Sequence, residues 1–174
     1  MRNETEPEDF RWMLARETPR LRRFAIALTG SVDRGDDLVQ DTLERALRKQ
    51  NQWRRQASLR SWLFKILYRI HLNQAKRRRT EANAIAGLDR GEAMPANQDS
   101  HIEVLNIGVA LGMISADQRE AVLLVGLEGM AYDEAADIMN VPIGTLKSRL
   151  FRGREALWAL RDGENGRKLR RIKT

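Results

Sequence analysis

The stretch AYDEAADIMNVPIGTLKSRLFRGREAL, Ala131 to Leu157, decides the architecture of the second half of the chain. It opens as a short amphipathic run in which Ala135, Ala136, Ile138 and Met139 recur at helical spacing, breaks at Asn140, Val141 and Pro142, and resumes as a second amphipathic run. Asn140 tolerates the left-handed conformation that ends a helix, and Pro142 cannot continue one but suits a turn. Ala135 is small enough for two helices to approach closely. The layout is that of a helix-turn-helix. On the second helix Leu146, Leu150, Gly153 and Leu157 fall on one face, and Thr145, Ser148, Arg149 and Arg152 on the other, where they can meet base edges and phosphates.

Charge along the chain agrees with that assignment. The whole carries a formal +7. Residues 1–80 hold 19 Lys/Arg against 10 Asp/Glu, residues 81–100 hold 1 against 4, residues 101–163 hold 6 against 9, and the last eleven hold 5 against 1. Four of the six cations in 101–163 are Lys147, Arg149, Arg152 and Arg154, so the helix is cationic within an acidic segment. A polyanion attracts the helix and repels the remainder, which orients the segment.

Upstream, Glu81 to Ser100 breaks the helical pattern with Gly87, Gly91 and Pro95 and reads as a linker. Before it, Pro7 suits the first turn of a short helix to about Arg16, and Pro19 the start of another to about Thr29. Ser31 and Asp33 offer N-caps for a third helix ending near Gln50. There Leu38, Val39, Leu43, Ala46 and Leu47 form the apolar face, and Asp37, Gln40, Asp41, Glu44 and Arg48 a polar one. Ser58 can cap a long fourth helix to about Arg79. Its apolar stripe is Leu59, Trp62, Leu63, Ile66, Leu67 and Ile70, and its polar strip Ser61, Lys65, Arg69, Asn73 and Lys76. The stretch Trp53 to Trp62 interleaves aromatic and cationic residues, a chemistry that suits unstacked bases and their phosphates. Spacing also allows Trp62 to be core, and Lys76 to Arg79 to be a cationic helix end.

These elements predict an all-α protein of two small helical domains, 1–80 and 101–163, joined by a flexible linker at 81–100. The second is a four-helix domain with helices near 102–112, 116–128, 132–140 and 143–161, and a basic, disordered tail follows at 164–174. With no cysteine, thiolate metal sites are excluded, and with only His71 and His101 as imidazoles, far apart in sequence, neither a histidine metal site nor a cofactor is expected. No apolar run approaches the ~20 residues needed to span a bilayer, and the polar N-terminus lacks a signal pattern. A cytoplasmic protein is expected, with no membrane partner; the basic tail lacks apolar anchors.

Taken together, DDLVQDTLERAL (Asp36 to Leu47), SLRSWLFKILYRIHLNQAKRR (Ser58 to Arg78) and GMAYDEAADIMNVPIGTLKSRLFRGREAL (Gly129 to Leu157) resemble the extracytoplasmic-function sigma factors in order and spacing, over roughly residues 8–160. The resemblance implies that the N-terminal domain opens and reads the minus-ten element of promoter DNA and the C-terminal domain reads the minus-thirty-five element. It implies that Asp37, Gln40, Asp41, Glu44 and Arg48 dock on core RNA polymerase. The minus-ten contacts would come from the loop Trp53, Arg54, Arg55, Gln56 and Ser58, with Arg60, Lys65, Arg69, Asn73, Lys76 and Arg77 beside it. The minus-thirty-five contacts map to Ile143, Gly144, Thr145, Lys147, Ser148, Arg149 and Arg152. The pattern is most similar to the general-stress-response branch of alphaproteobacteria, which implies control by a small anti-sigma protein released by a partner-switching response regulator. One departure is Ile114-Ser115 where relatives commonly have Leu-Pro; Ser115 can cap the helix that proline would start.

Two other readings compete. A self-sufficient helix-turn-helix regulator would bind closed duplex, usually as a dimer, and leaves the aromatic-basic loop and the acidic face without a role. An enzyme acting on nucleic acid would cluster its carboxylates around metal ions. Asp36, Asp37, Asp41 and Glu44 instead run along one helix, with no Gly-rich phosphate loop or histidine base nearby, so neither catalytic residues nor a small-molecule substrate are expected.

Overall fold

A computed structural model of the chain describes residues 9–53, 58–85 and 102–172, and only the backbone within 83–85, 102–107 and 162–172. Every regular element among the described residues is helical. The chain divides into two compact units, Met1–Ala93 and Met94–Thr174.

In the first unit, α1 (Phe10–Thr29) starts at Asp9, whose carboxylate accepts from the Arg11 amide at 3.0 Å. It runs unbroken through Pro19. Two helices divided at Pro19 are predicted from the local rule, and the structure has one because Leu14, Leu21 and Leu28 continue a single buried stripe across the proline. Pro19 and Ala15, whose carbonyl loses its helical donor, both face solvent, where water can satisfy the break. α2 (Val32–Arg48) is capped by Ser31 as expected, its Oγ accepting from the Arg34 amide at 3.4 Å.

α1 and α2 touch backbone to backbone at Gly35. A Cβ there would lie 2.7 Å from Ile26 Cγ1, 2.9 Å from Ile26 N and 3.0 Å from Ile26 Cα. Only glycine fits. α3 (Leu59–Ile85) starts at Ser58, which accepts from the Ser61 amide at 3.4 Å, and packs on both α1 and α2. Two neighbours need a wider apolar arc than the predicted stripe. Phe64 and Tyr68 join Leu63, Leu67 and Ile70 in the core, whereas Leu59, Trp62 and Ile66 are half-buried. Phe64 meets Phe24 edge-on at 5.0 Å. On α2, Leu43 is half-buried and Leu47 exposed; Thr42 takes a place in the core, its hydroxyl donating to the Leu38 carbonyl at 2.7 Å.

α3 continues to Ile85, past the predicted end at Arg79. Arg77 and Glu81 pair at 2.9 Å one turn apart and Thr80 donates to the Lys76 carbonyl, both supporting the added turn. The rest of the predicted linker, from residue 86, lies outside the described residues up to residue 101.

The second unit comprises α4 (Ile102–Met113), α5 (Ala116–Val122), α6 (Tyr132–Met139) and α7 (Ile143–Ile172). Ser115 caps α5 as expected, accepting from the Gln118 amide at 3.4 Å. α5 widens at Leu123–Leu127, where the Glu128 amide reaches back five residues to the Leu123 carbonyl. α6 ends at Asn140, left-handed at φ 53°, in a Schellman turn: Asn140 N–H bonds the Asp137 carbonyl at 3.2 Å and Val141 N–H the Ala136 carbonyl at 3.0 Å. The Pro142 carbonyl then accepts the first bonds of α7, from Thr145 and Leu146. Asn140, Val141 and Pro142 thus form the predicted turn. α7 seats Leu146, Leu150 and Gly153 against the core, with Leu157 half-buried.

The tail expected at 164–174 to be disordered is instead helical to Ile172. Its Arg, Lys, Leu and Glu are good helix formers, enough to carry α7 through Gly163 and Gly166. No described helix is long and apolar enough to cross a membrane.

Candidate docking and DNA-binding faces

α2 turns Leu38, Val39, Thr42 and Ala46 inward, so helical geometry turns Asp37, Gln40, Asp41, Glu44 and Arg48 outward, all exposed. Gln40, Glu44 and Arg48 among them are linked. Gln40 donates to Glu44 at 3.3 Å, and Arg48 reaches the same carboxylate at 3.4 Å. Asp41 accepts from Gln74 of α3 at 3.0 Å. An open cleft between α2 and α3 is lined by Asp37, Gln40 and Asp41 on one wall and Gln74, Arg77, Arg78 and Glu81 on the other, with Arg34 at its margin. Upstream of this row, Asp36 takes a two-pronged bond from Arg22 of α1, at 2.6 and 3.0 Å. That hydrogen bond holds the Asp36 carboxyl below its ordinary range and the Arg22 guanidinium above its own.

Of the residues expected at the minus-ten DNA, Arg69, Asn73 and Lys76 are exposed on one strip of α3, with Lys65 half-buried on the same strip. Arg77 departs from them. It continues the spacing of Leu63, Leu67 and Ile70 and so faces the α2 cleft, paired with Glu81. Trp53 is half-buried with its ring 5.8 Å from that of Phe10, and Phe10 meets Trp62 at 6.3 Å. The three aromatics pin the start of α1 to the residues on either side of the loop. Ser58 caps α3, and the Arg60 guanidinium lies 5.9 Å from the Phe64 ring. Arg54, Arg55 and Gln56 lie outside the described residues.

In the second unit the first turns of α7 present Ile143, Gly144, Lys147 and Arg152 to solvent, with Thr145, Ser148 and Arg149 half-buried. Thr145, Ser148, Arg149 and Arg152 line a cleft whose far wall is Ser115, Asp117 and Gln118 of α5. Arg152 donates to the Ser148 hydroxyl at 2.6 Å, and Arg149 Nη2 lies 2.6 Å from the Asp117 carboxylate. Lys147 turns to another side, its ammonium 5.9 Å from the Tyr132 ring. Gly153 makes the cleft narrow. A Cβ on it would lie 2.8 Å from Val122 Cγ2 and 3.2 Å from the Gln118 carbonyl.

Among the described residues no group of three or more His, Asp or Glu is placed to hold a metal ion.

The family model of the sigma2 domain of PhyR matches residues 14–68, and that of sigma-70 region 4 matches residues 105–157. The ECF RNA polymerase sigma factor EcfG of Rhodopseudomonas palustris is 41% identical over 143 residues, 82% of this chain and 79% of that protein. The chain belongs to the extracytoplasmic-function sigma factors.

The ECF sigma factor SigC of Mycobacterium tuberculosis is more distant, 30% identical over 77% of this chain and 74% of its own. Among solved structures, the sigma factor RpoE of Bartonella quintana, crystallised with the anti-sigma factor NepR, superposes with a TM-score of 0.79 at 38% identity, covering 89% of this chain and 98% of that one. Members of the family are DNA-binding initiation factors for RNA polymerase, not catalysts in their own right. In this sigma factor Arg34, Gln74, Arg78, Glu81, Asp117 and Gln118 line the two clefts without having been singled out from the sequence. Gln74 had a signal, since it continues the spacing of Leu67 and Ile70; Asp117 had none, because its partner lies on another helix.

Proposed function

We propose that this sigma factor binds core RNA polymerase through the acidic face of α2, recognises the minus-ten element with α3 and the loop before it, and reads the minus-thirty-five element with the first turns of α7. The observation that carries the reading is the exposed row Asp37, Gln40, Asp41 and Glu44 on a strongly basic chain. DNA would repel such a face, and a basic protein partner would be drawn to it. On the other unit, Lys147, Arg152 and Arg154 of α7 are exposed and Arg149 is half-buried beside them. The division of the chain into 1–80, 81–100, 101–163 and 164–174 assigns one promoter element to each domain, with the linker spanning them.

The relationship to EcfG and to RpoE crystallised with NepR supports control by a small anti-sigma protein in a stress response. The work of such a factor, on polymerase and chromosome, lies in the cytoplasm.

Run-off transcription with purified core polymerase tests the reading on a library of promoter fragments, with and without the protein. New, defined transcripts that depend on the protein are expected, and their start sites deliver both promoter elements. Absence of transcripts together with tight duplex binding by the protein alone would replace this reading with that of a stand-alone regulator.

A further inference from the structure

The ion pair between Arg149 and Asp117 joins the recognition helix to the helix beneath it. Nη2 of Arg149 sits 2.6 Å from Asp117 Oδ2, and the arginine side chain is only 26% exposed whereas the aspartate is 58% exposed. An arginine that reads guanine needs its planar fork held in one orientation, because a long side chain otherwise loses rotamer freedom at the moment of binding. A carboxylate on one nitrogen supplies that restraint and leaves the other N–H donors of the fork for a base edge. Its charge has a second effect. A negative group on the wall of a DNA-facing cleft is repelled by phosphates everywhere along a duplex, so binding repays that repulsion only where the arginine gains its full set of base contacts.

The surroundings fit this role. Asp117 lies in the first turn of α5, two residues after the Ser115 cap, so its backbone is fixed at the start of the helix. The close crossing at Gly153, against Val122 and the Gln118 carbonyl, fixes how far α5 stands from α7. Ser148 engages Arg152 on the same cleft at 2.6 Å, so both cations there are set before any DNA arrives.

We propose that Asp117 is a positioning residue for Arg149 and sharpens sequence discrimination at the minus-thirty-five element. The inference rests on the assignment of α7 to that element. It differs from a purely structural role in what it predicts: loss of the carboxylate should relax discrimination more than it weakens binding.

The test uses holoenzyme assembled from the full chain and core polymerase. Affinities are measured for a promoter obtained from the run-off library, for its single base-pair substitutions across the minus-thirty-five element, and for an unrelated duplex. Arg149→Ala should flatten the preference at one or two adjacent base pairs. Asp117→Asn should lower the preference at those same pairs about tenfold while binding to unrelated duplex stays equal or rises, and Asp117→Glu should restore most of it. In an Arg149→Ala background Asp117→Asn should change nothing further at those pairs.

Uniform weakening on every sequence by Asp117→Asn, with a lowered melting temperature, would make the aspartate a structural strut and overturn the proposal. An unchanged preference in Asp117→Asn where Arg149→Ala has flattened it would also overturn it, with the reading of Arg149 intact. If Arg149→Ala itself leaves every preference unchanged, the proposal falls together with the assignment of Arg149 to the DNA.

Discussion

Each unit contains one helix crossing made possible by a glycine, and beside each crossing rides a charged face. In the first unit Gly35 brings α2 onto the backbone of Ile26, and the carboxylates beyond it are exposed. In the second, Gly153 brings α7 onto the methyl of Val122 and the carbonyl of Gln118, and Arg149 is drawn halfway into the cleft by Asp117. The difference fits the roles proposed for the two faces. An exposed carboxylate row attracts a partner from a distance and releases it readily, as reversible docking requires. A tethered arginine has given up part of its freedom in advance, which suits a reader of base edges.

The largest effect that can break this comparison is expected at Gly35. An alanine there meets backbone atoms of α1 that cannot move aside. Overpacking of that kind costs up to about 3 kcal/mol, of which the better helix propensity of alanine returns about 1. Thermal unfolding followed by tryptophan fluorescence should show the first unit, which holds Trp12, Trp53 and Trp62, destabilised by about 2 kcal/mol; an unchanged midpoint would mean that the crossing is loose.

Asp41→Arg comes next. A reversed charge in the middle of the row should weaken binding of core polymerase by about 2 kcal/mol, some thirtyfold, with helix content by circular dichroism unchanged. Equal affinity in a polymerase-binding titration would remove α2 from the docking face.

Gly153→Ala should cost less than about 1 kcal/mol in stability, because Val122 is half-buried and its methyl can give way. A penalty equal to that of Gly35→Ala would erase the distinction between the two crossings.

The smallest effect concerns the pair Arg22–Asp36 that ties α1 to α2. Asp36 has a depressed pKa in the folded state, so its contribution to stability is present above the ordinary carboxylate range near pH ~3.9 and is lost as pH falls through the lower folded value. Asp36→Asn should therefore lower the melting temperature slightly at neutral pH and not at all in strong acid. Both groups are exposed, so salt should shrink the difference.

What was legible in the sequence was local or periodic. The Ser31, Ser58 and Ser115 caps, the Asn140–Pro142 turn, the inward Leu38, Val39 and Ala46 of α2 and the inward Leu146, Leu150 and Gly153 of α7 depend on neighbours within two turns, and they stand where the residue types put them. Pro19 misled because the local rule for proline is outweighed by a stripe that buries Leu14 on one side and Leu21 on the other. The arc of α3 was read too narrow because one helix seen alone does not reveal that two others will pack on it. The carboxylates proposed for docking showed themselves as a polar face opposite an apolar one. The tether of Arg149 did not, since Asp117 and Arg149 meet only after α5 and α7 have crossed at Gly153.

α3 is a single helix of 27 residues, a rod about 40 Å long. Its far half carries Gln74, Arg77 and Glu81 on the side of the α2 cleft, and Arg69, Asn73 and Lys76 about a third of a turn away. Two ligands seated on one rod at two azimuths share the free energy of holding it still. Whatever the first to arrive spends on straightening and damping that half of the rod, the second is spared, and the saving is the same in either order. On the assignment proposed above, polymerase on the cleft and an opened promoter on the neighbouring strip would then each tighten the grip of the other by an equal factor.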